Sequence, residues 1–102
     1  MRAIIWKVSS KNEKPFRYRL QFDKVPNKRA ENKILKTLSG WSEAGYGYNK
    51  ESKETTLLFI RSFKDKESML EWARAFPYEL HEQTPRGNTK KLKTNYNKKG
   101  TK

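Results

Sequence analysis

Residues 16–22, Phe16-Arg17-Tyr18-Arg19-Leu20-Gln21-Phe22, alternate apolar and polar side chains without interruption. In an extended strand a period of two puts Phe16, Tyr18, Leu20 and Phe22 on one face and Arg17, Arg19 and Gln21 on the other. Such a strand is buried on one side, so the rest of the chain must supply a cover for the four apolar side chains.

Outward from this strand, residues 2–9 read as a second one, with Ile4, Trp6 and Val8 on one face and Ala3, Ile5 and Lys7 on the other. The polar run 10–15 makes a turn between them. On the C-terminal side, Asn27 is placed to cap a helix over 28–38. Ala30, Ile34 and Leu38 recur there every four residues, Leu35 widens the stripe, and Ser39-Gly40 ends it. Residues 41–48 predict a strand with Ala44, Tyr46 and Tyr48 on one face and Glu43, Gly45 and Gly47 on the other. A hairpin over 49–53 leads to a strand over 54–61 with apolar residues on both faces, as a central strand requires. Asp65 caps a second helix over 66–76, which Pro77 closes, and 78–82 form a short last strand.

From Phe16 onward the order is βαββαβ. That is the split-βαβ arrangement, so the expected fold is α+β and ferredoxin-like: an antiparallel sheet, two helices across one face, and the N-terminal strand added at an edge.

A chain of 102 residues has room for one core. Thirteen aromatic residues among them give a small core large apolar area per ordered residue. There is no cysteine, which excludes disulfides, a thiolate nucleophile and cysteine-held zinc, and suits a reducing compartment; a cytoplasmic location is expected. The apolar run 3–6 ends at Lys7 and no other stretch is longer, so no membrane partner is expected.

The net charge is +13, unevenly spread. Residues 1–83 hold 17 basic and 11 acidic side chains; residues 84–102 hold seven basic and none acidic. The reading is a compact domain over 1–83 and a flexible basic tail over 84–102, divided at the Pro85-Gly87 turn. This excess of positive charge points to a polyanion, and DNA or RNA is the expected partner.

If the helices cover the Phe16/Tyr18/Leu20/Phe22 face, Arg17 and Arg19 emerge from the open one. Phe59 and Arg61 are placed beside them as a ring to stack a base and a guanidinium to hold phosphate. A core position for Phe59 and simple solvent exposure for the arginines are the competing assignments. In the tail, Arg86, Lys90, Lys91, Lys93, Lys98 and Lys99 are expected to follow a phosphate backbone by charge density, against a merely solubilising role. Gly45 and Gly47 lack the context of a nucleotide-binding loop and indicate a bulge or close strand packing instead.

No enzyme is expected, and no cofactor or metal. His81 is the only histidine, near Glu79 and Glu82, and Asp65 is accounted for as a cap. The expected function is nucleic-acid binding, on single strands or structured RNA. The competing one is a protein-binding inhibitor or adaptor whose partner presents an acidic surface.

Overall fold

A computed structural model describes residues 1–8, 15–50, 52–84 and 86–95. The chain forms β1 (Arg2–Lys7), β2 (Phe16–Phe22), α1 (Lys28–Thr37), β3 (Ser42–Asn49), β4 (Glu54–Phe63), α2 (Lys66–Arg74), β5 (Glu79–Gln83) and β6 (Thr89–Lys91). It is an α+β fold with two helices and one six-stranded sheet in the order β3-β4-β2-β1-β5-β6.

Both predicted caps are made. Asn27 accepts a hydrogen bond from the Ala30 amide at 2.9 Å, and Asp65 accepts one from the Ser68 amide at 2.9 Å. Each satisfies a backbone donor that the first turn of a helix leaves open.

The sheet departs from expectation in three ways. First, β1 is not an edge strand: it lies between β2, to which it is antiparallel, and β5, to which it is parallel. The sheet is therefore mixed. In a plain split βαβ arrangement β5 would sit beside β2; here β1 separates them. The reason is legible in Ala3-Ile4-Ile5-Trp6, which is apolar on both faces, as an interior strand is. Second, residues 84–95 are not a free tail. The turn after β5 brings β6 back antiparallel to it, with the Thr84 amide donating to the Asn88 carbonyl at 2.8 Å. Leu92 and Thr94 are buried, and the Asn95 amide donates to the Phe76 carbonyl at 3.1 Å. Backbone pairing to an open strand edge needs no hydrophobic alternation, which is why this lysine-rich stretch carried no strand signal. Residues 96–102, the rest of the expected tail, lie outside the described residues. Third, β4 runs on to Phe63, two residues past its expected end.

The core joins Ala3, Ile5, Tyr18, Leu20, Phe22, Phe59, Phe63 and Leu80 of the sheet to Ile34, Leu38, Met69, Ala73 and Phe76 of the helical segments. Leu20 pairs with both Ile5 and Phe59, so these sheet residues share one face, and both helices lie on it. Trp41, after α1, joins Phe63 and Trp72 in an aromatic cluster with centroids 5.0 to 6.0 Å apart.

Tyr18 is wholly within this core. Burial, reinforced by the charges of Glu82 and Asp65, pushes its phenol from 10.0 up to about 12. A raised phenol favours the neutral form in the folded state. Its contribution to stability is therefore complete below pH ~10 and lost as the pH rises toward ~12, a difference of about 3 kcal/mol. Tyr18→Phe is expected to remove that part of the alkaline loss of stability. Urea midpoints for both proteins at pH 9 and pH 11 check it; an equal decline in the two would refute it.

Candidate nucleic-acid interface

The face of the sheet opposite the helices is built by strand register. One row crosses all six strands as Ser42, Ile60, Arg19, Trp6, Gln83 and Thr89. At roughly 4.8 Å per strand the row is about 24 Å long. The next row carries Leu58, Gln21, Ile4, His81 and Lys91, and Arg17 lies beyond Arg19, paired with Ser62. Arg17, Arg19 and Lys91 are exposed, whereas Ile4, Trp6, Leu58 and Ile60 are half-buried and lie outside the core cluster. Among the described residues Trp6 is the one Phe, Tyr or Trp of this face. Its cross-strand partners are Arg19 and Gln83, so a guanidinium and an amide flank the indole.

Local features shape the face toward β3. Ala44 and Gly45 form a bulge opposite β4, and Gly45 takes the left-handed φ of 92° that this requires. A side chain at Gly47 would meet Gln21 and Leu58 at 3.2 Å; its absence lets the Gln21 amide reach across β4 and donate to the Gly47 carbonyl at 2.8 Å.

The electrostatics are asymmetric. On β5, His81 and Glu79 are 2.6 Å apart. The hydrogen bond from His81 holds the Glu79 carboxyl below its usual range, helped by the charges of His81, Lys91 and Arg2 against some desolvation. The Glu79 carboxylate is thus held at that corner among cationic groups, and Arg17 and Arg19 stand on the β2 part of the face.

The expected site residues separate accordingly. Arg17, Arg19 and Lys91 come together on the open face. Phe59 does not: it is 2 % exposed, pairs with Leu20, and sits in the core beneath α1. Arg61 pairs with Tyr18 on the same covered side, its guanidinium 4.7 Å from the Phe63 ring and packed against Gly40. Both lie on the side away from Arg17 and Arg19, contrary to the expected placement beside them, because the alternation of β4 is fixed by its register to β2. Lys90 pairs with Glu82 and so lies on the opposite face from Lys91. Lys93 lies near Leu70 and Arg74, and Arg86 is exposed in the β5–β6 turn. Lys98 and Lys99 are outside the described residues. Trp6, not among the expected site residues, shares this face with Arg19, and its parity with Ile4 is the sequence signal for that side. Pairing of β1 with β2 would have set it beside Arg19.

Tyr46 and Tyr48 are 71 % and 62 % exposed. They stand on β3, an edge strand. No group of three or more metal-ligating side chains occurs among the described residues, and none of their helices is long and apolar enough to cross a membrane.

Comparison of the chain with protein-family models, curated proteins and solved structures returns no match.

Proposed function

We propose that this protein binds single-stranded nucleic acid, or unpaired segments of structured RNA, on the open face of its sheet. The observation that carries the reading is the row Ile60-Arg19-Trp6-Gln83 on the face that neither helix covers. A base stacks on the indole, Arg19 and Arg17 hold the flanking phosphates, and Gln83 offers a donor and an acceptor to a base edge. Bases are accessible to such a flat platform only when unstacked from a duplex, which favours single strands. Positive charge elsewhere, on Arg29, Lys33 and Lys36 of α1 and on Arg86, adds long-range attraction without sequence information.

A salt series on single-stranded RNA, single-stranded DNA and duplex DNA tests the reading. For single strands the slope of log K against log salt is about −0.7 per phosphate contact. Removing two contacts in Arg17→Ala/Arg19→Ala is expected to flatten it by roughly 1.4 with the fold intact. No binding to any of the three at low salt refutes the reading, and an unchanged slope in the double variant removes the sheet face from it.

A second reading rests on Tyr46 and Tyr48, which stand exposed on an edge strand of the sheet among the described residues. Such an edge fits a protein partner that adds a strand, with the two tyrosines as anchors. Stable one-to-one association with a protein after nuclease and high-salt treatment would favour it.

A further inference from the structure

Among the described residues β3 and β6 are the two edges of the sheet, and they differ in charge. β6 is Thr89-Lys90-Lys91, with two lysines in three residues, whereas β3 holds none of the chain's 24 basic side chains. Lysine on an edge strand blocks the approach of another strand, so β6 is guarded and β3 is not. Six of the eight β3 residues are exposed, Tyr46 and Tyr48 among them.

Hydrogen bonding shows which backbone groups of β3 face outward. The Gly47 carbonyl accepts from Gln21 Nε2, which reaches it across β4, and the Asn49 carbonyl accepts from the Lys53 amide at the hairpin turn. Residues 47 and 49 therefore turn their main-chain groups toward β4. Those directions alternate along a strand, so Tyr46 and Tyr48 turn their N–H and C=O groups to the outer edge. The bulge at Ala44 and Gly45 interrupts the strand before Tyr46, and the turn ends it after Asn49. Tyr46 and Tyr48 are thus the two residues that β3 offers to a pairing strand.

We propose that β3 pairs antiparallel with β3 of a second copy of this chain, about a two-fold axis at Gly47. Tyr46 of each copy then stands opposite Tyr48 of the other. Each such pair exchanges two backbone hydrogen bonds, so all four outward groups of each copy are used. The two Gly47 residues meet in the close, non-hydrogen-bonded position, about 4.5 Å between Cα atoms, where no side chain crowds them. Because Tyr46 pairs with Leu57 and Tyr48 with Thr55, the four tyrosines lie on the helix side of the joined sheet and form two aromatic cross-strand pairs. Tyr46 walls the groove between β4 and α1 with Val25, Leu35 and Leu57, and Tyr48 of the second copy extends that wall. The antiparallel register also carries the exposed Lys50 of each copy toward the exposed Glu43 of the other, so opposite charges meet twice. Arg19 of one copy is five strand spacings from Arg19 of the other, roughly 24 Å against a Debye length of about 8 Å in physiological salt, so repulsion between the open faces is largely screened. A two-fold contact closes at two chains, and the lysines of β6 keep the far edges from extending it. The axis is perpendicular to the sheet, so both open faces lie on one side. The inference rests on the second reading above for the choice of edge and names its occupant; nucleic acid plays no part in it.

Sedimentation velocity of the intact, nuclease-treated chain from micromolar to millimolar concentration tests it. A monomer–dimer equilibrium is expected, with a dissociation constant of about 10–100 μM for so small a contact. Tyr48→Lys, which gives β3 the guard that β6 has, is expected to raise that constant by about tenfold or more with the melting temperature kept. Glu43→Lys alone is expected to raise it about fivefold, and Glu43→Lys/Lys50→Glu to restore it, since these charges meet only across antiparallel copies. A chain that stays monomeric over the whole range overturns self-pairing and leaves the edge to a different protein under the second reading. A dimer whose constant is unchanged in Tyr48→Lys is built elsewhere and overturns the inference. Failure of the double charge variant to recover what Glu43→Lys loses excludes the antiparallel register and overturns it too.

Discussion

Phe59→Ala is expected to cost about 3–5 kcal/mol of folding stability, enough to lower the melting temperature by roughly 15 °C or more in a domain of this size. The ring is buried between Leu20 of the neighbouring strand and the underside of α1, so truncation removes its transfer free energy and leaves a cavity that the rigid sheet cannot close. Phe59→Leu keeps most of the volume and should cost far less. The pair separates a structural role from a contact with nucleic acid. Phe59→Leu, folded, should bind single strands with wild-type affinity at matched salt. A Phe59→Ala protein that melted like wild type but had lost binding would refute the placement of this ring in the core.

That position also shows how far the sequence could be read. β2 was unambiguous because its four apolar residues alternate with polar ones, and its faces follow directly. The two helices were equally clear, since Asn27 and Asp65 stand at cap positions ahead of periodic apolar residues. β4 was ambiguous for a physical reason: Leu57 and Phe59 compete with Leu58 and Ile60, and a strand apolar on both sides does not declare which side meets the helices. Only its register to β2 decides. Phe63 was the available clue, because it continues the 57/59/61 face by one more large ring and tips that side toward the core. The same two-sided apolarity that marked β4 as central was present in Ala3-Ile4-Ile5-Trp6 and marks β1 as central too. The place of β6 had no comparable signal. It is held by backbone hydrogen bonds and followed by the buried Leu92 and Thr94, so a lysine-rich composition concealed an ordered strand. Tyr46, on the edge strand β3 just after the bulge at Ala44 and Gly45, is left uncovered.

Trp6 is where these corrections converge on function, and Trp6→Ala is expected to weaken single-strand binding by about 5- to 150-fold, corresponding to the roughly 1–3 kcal/mol carried by one stacked base. Stacking depends on a π-face and not on a hydrogen bond, so Trp6→Phe should retain much of the affinity, whereas Trp6→Leu, apolar but without a ring, should not. The salt slope separates this loss from an electrostatic one. Truncating Trp6 should lower affinity at every salt concentration with the slope unchanged, while Arg17→Ala/Arg19→Ala should change the slope. Trp6 is only half-buried and lies outside the core cluster, so the loss of stability should be smaller than for Phe59→Ala, and thermal melting checks that each variant is folded. Intrinsic fluorescence gives an independent readout. Trp41 is buried and Trp72 packs against the core, which leaves Trp6 as the indole that a bound base can reach and quench. Quenching by oligonucleotide that persists undiminished in Trp6→Phe, together with wild-type affinity in Trp6→Leu, would exclude this ring from the interface and leave binding, if present, to charge alone.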